Sequence, residues 1–167
     1  MLVIKILSNN QNGVYTMTNS ILEKENQIIV QARQIISDRI LNQSVKFTSA
    51  KIVADYGYLH LRELPHEEFH LIILDSSHAI IKDVKMSTGT VGMATVYTRE
   101  VVKECLLNSA AACILMHNHP SGLTQPSLAD LNITKKIIEA LKTVDIDVLD
   151  HLIIGNEYYS FACNGDI

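Results

Sequence analysis

The chain has 167 residues, 47% hydrophobic and 19% charged, with a net charge of −4. That balance suits a globular chain with a normal core, argues against disorder, and lacks the net basic charge that marks most dedicated nucleic-acid binders. The apolar run Leu2 to Leu7 is too short for a signal-peptide core, and no apolar run approaches the roughly 20 residues of a membrane span, so a soluble, cytoplasmic protein is expected.

Residues 1–20 are polar and irregular, with a turn signal at Asn9 to Gly13, and read as an N-terminal arm. Apolar residues at near-helical period, from Ile21 through Ile28, Ile29, Ala32 and Ile35 to Leu41, predict a helix over 21–42. A second helix starts at the cap candidate Thr48 or Ser49 and ends before Pro65. From Glu67 the pattern becomes strand-like. Phe69 to Asp75 and Ala79 toward Met86 form a hairpin about Ser76-Ser77, broken again by Ser87-Thr88-Gly89-Thr90.

Residues 98–108 read as a helix capped by Thr98, with Val101, Val102, Cys105 and Leu106 on one face. Ala110 to Met116 is uniformly apolar and flanked by breakers, as a central buried strand requires. A polar loop over 117–126 leads into a helix from Ser127 to about Lys142, with Ile133, Ile137, Ile138 and Leu141 facing the core. Val148 to Ile154 is a further buried strand, and Glu157 to Phe161 pairs back on it after a turn at Gly155-Asn156. Helices and strands alternate around one sheet, so the class is mixed α/β. Cys105, Cys113 and Cys163 are odd in number and lack C-x-x-C spacing, which predicts reduced, mostly buried thiols.

Of the seven histidines, only His117 and His119 have metal-ligand spacing. They end the buried strand two residues apart, and side chains at i and i+2 share a strand face if the extended backbone persists to 119. Asp130 falls in the first turn of the next helix, where exposed N–H groups and the helix dipole favour a carboxylate. Two neutral imidazoles and one carboxylate suit zinc, and three protein ligands leave the fourth position open for water. Ser127-x-x-Asp130 also reads as a capping box with Asp in place of the usual Glu or Gln, a role compatible with metal ligation. Asp150-His151 point to opposite sides of their strand, so they do not act together; one is a partner of a ligand or a buried polar group. Asn118 and Ser121 shape the loop.

The run His117-Asn118-His119-Pro120-Ser121-Gly122 with Pro126-Ser127 and Asp130 resembles the JAMM (MPN-type) metalloprotease motif H-x-H-x(7)-S-x-x-D, and the Asn and Pro-Ser-Gly resemble the RadC family in particular. Glu67-Glu68-Phe69, Leu74-Asp75, Thr88-Gly89-Thr90, Arg99 to Val102 and Asp150 to Gly155 are similar to RadC segments in the same order. The resemblance covers roughly residues 48–165. It implies a JAB/MPN-like, cytidine-deaminase-like three-layer fold over 48–167, preceded by an arm and helix over 1–47. It also implies a Zn2+ site on His117, His119 and Asp130, and peptidase or isopeptidase chemistry with zinc-bound water as nucleophile.

In that chemistry Ser127 donates to the oxyanion, unless it is simply an N-cap, and a glutamate on a neighbouring strand is the base. Glu67 is the choice, since it shares a strand face with Phe69 while Glu68 points away; the alternative leaves both as exposed edge charges. Ser87 to Thr90 either lines the cleft or is only a turn. RadC proteins commonly carry a helix-hairpin-helix region, and residues 1–47 lack its glycine-containing hairpins. DNA is therefore a partner by resemblance alone, and the alternative function is a DNA-repair-associated metal-binding module without turnover. The peptide or protein substrate and the oligomeric state, a homodimer among the options, stay open. Zinc deaminases need H-x-E with P-C-x-x-C, which is absent, and two-metal phosphodiester chemistry wants more carboxylates.

Overall fold

A computed structural model of the protein describes residues 21–32, 34–35, 46–89 and 96–167. The chain divides into two compact units, Met1–Asp38 and Arg39–Ile167. In the first, helix α1 covers residues 21–32 and leaves Ile21, Leu22, Ile28, Ile29 and Val30 exposed. The N-terminal arm and residues 36–42 of the expected first helix lie outside the described residues.

The second unit runs α2 (Ala50–Leu61), β1 (Glu67–Leu74), β2 (Ile80–Gly89), α3 (Thr98–Leu107), β3 (Ala112–Asn118), α4 (Leu128–Lys142), β4 (Asp147–Ile154), β5 (Tyr158–Ser160) and α5 (Phe161–Asn164). Ser49 caps α2 by accepting from the Ile52 N–H. The five strands form one sheet in the order β2-β1-β3-β4-β5, antiparallel except for the β3–β4 pair. Strand alternation splits the core into two layers. Ile72, Leu74, Ile114, Met116, Leu152 and Ile154 pack with α2. Leu71, Ile73, Cys113 and Leu115 pack on the other face with Val101 and Cys105 of α3 and Ile137 and Leu141 of α4. The class is thus mixed α/β with helices on both sheet faces.

Gly57 lets α2 lie close on the sheet. A Cβ there would come within 2.7 Å of Ile154 Cδ1 and Met116 Sδ. β3 sits mid-sheet with all seven residues buried, which makes its C-terminal end a rigid mount. The β1–β2 turn is held by Asp75, whose carboxylate accepts from the N–H groups of Ser77 at 2.7 Å and Ala79 at 2.9 Å.

Several expectations are corrected. β2 does not break at Ser87 but continues to Gly89, because Ser87, Thr88 and Gly89 pair with Phe69, Glu68 and Glu67 beyond a register shift at Phe69/His70; ladder bonds override the local turn preference. Thr98 is the first residue of α3 rather than its cap, and Tyr97 caps without a side-chain bond. Leu106 is exposed, and only Val101 and Cys105 of α3 are fully buried. The central strand begins at Ala112, two residues later than expected. Phe161 opens α5 instead of ending β5. Cys105 and Cys113 are buried free thiols, but Cys163 is exposed.

Candidate metal centre

β3 carries His117 at its C-terminal end, fully buried. The strand formally ends at Asn118, yet the His119 N–H still donates to Ile154 O at 2.9 Å, so the extended backbone persists and both imidazoles share a face. The chain then turns back. The Gly122 N–H donates to His119 O at 2.9 Å, and Asn156 N–H to Gly122 O at 2.8 Å. Gly122 has φ 81°, where only glycine is unstrained, and a Cβ would also meet the Asn156 amide at 2.8 Å.

Helix α4 opens with a true capping box. The Asp130 N–H donates to Ser127 Oγ at 3.2 Å, and Asp130 Oδ2 accepts from the Ser127 N–H at 2.7 Å and hydroxyl at 2.6 Å. Two donors therefore fix Asp130 Oδ2, the oxygen nearer His119, and Oδ1 stands toward His117. His117 Nε2 lies 3.1 Å from His119 Nε2 and 3.4 Å from Asp130 Oδ1, and His119 Nε2 lies 3.7 Å from Asp130 Oδ2. A tetrahedral ion with bonds of 2.0–2.1 Å sets its ligand atoms about 3.3 Å apart, and the two nitrogens, with the Asp130 oxygen nearer each of them, stand at 3.1, 3.4 and 3.7 Å. His117, His119 and Asp130 fit a metal ion by donor type and by spacing.

Burial pushes the His117 imidazole down to about 4, with Asp130 opposing and His119 reinforcing the shift. Burial also holds His151 well below its ordinary value, and His117 and His119 add to this. Both are neutral at pH 7 and offer lone pairs. The Glu67 carboxyl is half-buried and raised, first by burial; His119 opposes the shift and Asp130 adds to it. His119 and Asp130 thus lie within electrostatic range of Glu67.

Glu68 lies on the opposite face, buried, and is no edge charge. Asn118 does more than shape its loop: it grips both flanks of Glu67 across the sheet. Its Oδ1 accepts from the Glu68 N–H at 2.8 Å, and its Nδ2 donates to His66 O at 3.0 Å.

Beneath the triangle lies a layer the sequence reading only partly anticipated. His117 Nδ1 is 2.8 Å from His151 Nε2, and His151 Nδ1 is 2.6 Å from Thr134 Oγ1. Phe69 stacks on His117 with centroids 5.9 Å apart, and Phe161 on His151 at 4.7 Å. Asp150 turns the other way, into Ser160 Oγ at 2.6 Å and the Ala162 N–H at 3.0 Å. Thr134 was missed. Its signal was available as a polar residue one turn after Asp130 on the core face of α4. Ser87 ends with its hydroxyl buried and no partner among the described residues.

Fold and donor set together define a mixed α/β domain with a candidate mononuclear metal centre. The chain belongs to the RadC-like JAB domain family, whose model matches residues 47–166. It is 45% identical over 140 residues to the UPF0758 protein PSHAa2643 of Pseudoalteromonas translucida, covering 83% of this chain and 62% of that one. It is 41% identical over 143 residues to the UPF0758 protein YkfG of Escherichia coli K12, covering 85% of this chain and 90% of that one. A UPF0758 protein of Tolumonas auensis is 38% identical over 152 residues, of which this chain spans 64% of the length. This chain thus spans under two thirds of the first and third of these relatives and most of the second. Among the described residues no helix is long and apolar enough to cross a membrane.

Proposed function

We propose that the chain is a zinc-dependent hydrolase of peptide or isopeptide bonds. The observation that carries this is the convergence of His117 Nε2, His119 Nε2 and the Asp130 carboxylate at 3.1–3.7 Å, within electrostatic range of a half-buried glutamate. When bound there, zinc would acidify a water and polarise a carbonyl.

The rest of the chemistry falls to the chain. His117, His119 and Asp130 hold the ion. Glu67 accepts the proton of the attacking water at its carboxylate and returns it to the leaving amine. Burial raises this group toward the range where both transfers are efficient. Asn118 fixes the backbone on either side of Glu67, so the carboxylate does not drift from the centre. Ser127 is the oxyanion donor. In that role its hydroxyl proton turns away from Asp130 Oδ2, which keeps the Ser127 N–H.

Metal analysis and turnover of a peptide and isopeptide library test the proposal together. Wild type and Glu67→Gln should each hold about one zinc, and His117→Ala should lose it. Turnover should fall by about 10²–10⁴ in Glu67→Gln. Wild-type protein without zinc, or Glu67→Gln at wild-type rate, would overturn it. So would tight DNA binding indifferent to Glu67→Gln with no cleavage of any library member.

A further inference from the structure

We infer that Thr134 and His151 are positioning residues that hold His117 as the tautomer protonated at Nδ1, aiming a bare Nε2 lone pair at the donor triangle. The inference rests on the metal reading above and extends it to residues that touch no metal.

The proton order follows from two backbone carbonyls, which only accept. Thr134 Oγ1 lies 2.6 Å from Asp130 O, so the single hydroxyl hydrogen sits between them, as threonine one turn into a helix commonly bonds the carbonyl four residues back. The same oxygen then shows only lone pairs to His151 Nδ1, 2.6 Å away, so that nitrogen carries the hydrogen. A buried, neutral imidazole has one proton, which leaves His151 Nε2 bare. It accepts from His117 Nδ1–H at 2.8 Å. In that tautomer His117 Nε2 carries the lone pair.

The second carbonyl acts on His119. Leu123 O lies 2.8 Å from His119 Nδ1, which therefore donates, so the lone pair of the neutral ring lies at Nε2.

The consequence reaches the centre. In these tautomers two imine nitrogens stand 3.1 Å apart with Asp130 Oδ1 3.4 Å from one of them. Three acceptors converge with no proton among them, an arrangement that repels itself until a cation enters. The reverse order would place a hydrogen on His117 Nε2 inside the triangle and leave Asp130 O facing a bare hydroxyl oxygen at 2.6 Å. One turn of α4 thus does two jobs. Asp130 supplies a donor oxygen, and its own carbonyl, through Thr134 and His151, sets the donor atom of a histidine on another element. Phe161 stacks on His151 and Phe69 on His117, which holds the orientation of each ring.

Long-range ¹H–¹⁵N spectra of histidine-labelled full-length chain at neutral pH, metal-free and zinc-loaded, read the tautomers directly. His117 and His151 should carry Nδ1–H with bare Nε2 in both states. Protonation of His117 or His151 at Nε2 in the metal-free chain would overturn the inference. Zinc affinity by chelator competition gives the second readout. Thr134→Val should weaken it about tenfold, and His151→Phe by about 10–100-fold, the range for partners that orient a ligating histidine. Thr134→Ser should restore wild-type affinity. A folded Thr134→Val chain with unchanged affinity would also overturn the inference. Wild type without zinc affinity would sink the metal reading, while the metal-free spectrum still decides the proton order by itself.

Discussion

Two histidine clusters lie on opposite faces of the same sheet and end in opposite electrical states. On the α2 face, His70 sits between two carboxylates, with Asp83 Oδ1 at 2.7 Å and Glu68 Oε2 at 3.2 Å. Glu68 Oε1 also bonds His66 at 2.9 Å and Lys85 at 3.2 Å, and Asp83 Oδ2 accepts from Tyr56 OH at 2.5 Å. Burial would lower His70, but Asp83 and Glu68 outweigh it and raise the imidazole. Burial would likewise raise Glu68 and Asp83, but their hydrogen bonds hold both low. That cluster is an ion network.

On the α4 face, His117 and His119 lie within 4 Å of the Asp130 carboxylate, and Ser127 already occupies one of its oxygens. There burial wins and the buried histidines stay neutral. What decides between a buried cation and a lone-pair donor is the supply of carboxylate oxygens not committed elsewhere.

If the contrast is right, the largest effect comes from breaking the ion network. Asp83→Ala should cost about 3 kcal/mol in urea unfolding, since it strands a largely buried imidazole and the Tyr56 hydroxyl. Zinc content should stay at the wild-type level, and a loss of zinc would show that the clusters are not separate.

The pH profile sharpens this. His70 titrates above its unfolded value near 6.5, so its contribution is complete below about pH 6.5 and is lost as pH rises through its folded value. Glu68 and Asp83 titrate below unfolded values near 4, so theirs is present above about pH 4 and lost as pH falls through lower folded values. The stability gap between wild type and Asp83→Ala should therefore be widest between about pH 4 and 6.5. A gap that widens steadily above pH 8 would contradict a protonated His70.

A middle-sized effect belongs to the other cluster. Gly122→Ala should cost about 1–2 kcal/mol through its positive φ and the Asn156 clash. Because Gly122 ties the turn to His119 O, zinc affinity should fall with it. Affinity unchanged to chelator competition would mean that the loop does not set His119. The smallest effect is at the rim of the ion network. Lys85→Ala removes a half-exposed partner of Glu68 and should cost under about 1 kcal/mol, abolished by raised salt.

The outlines of this protein were legible in its sequence where local rules dominate. β3 is a run of apolar residues in the middle of the sheet, and hydrophobicity alone marks such a strand. Ser127 and Asp130 are three apart at a helix start, and helix geometry makes them meet. The two histidines are two apart at a strand end, and strand geometry puts them on one face. Where pairing competes with local preference the reading slipped. Ser87 to Gly89 looks like a turn but is held in β2 by β1, and Leu106 follows helical period yet finds no neighbour to bury it.

By itself, then, the sequence determined the mixed α/β class, the donor triad and the helix cap, because each depends on spacings of two to four residues fixed by backbone geometry. Only the tertiary structure decided what lies around them. His151 and Thr134 are 34 and 17 residues from the atoms they bond. Asn118 reaches 50 and 52 residues back to flank Glu67. Which face a histidine shares with which carboxylates is set by strand order and register, and on that depends whether its nitrogen holds a proton or a lone pair.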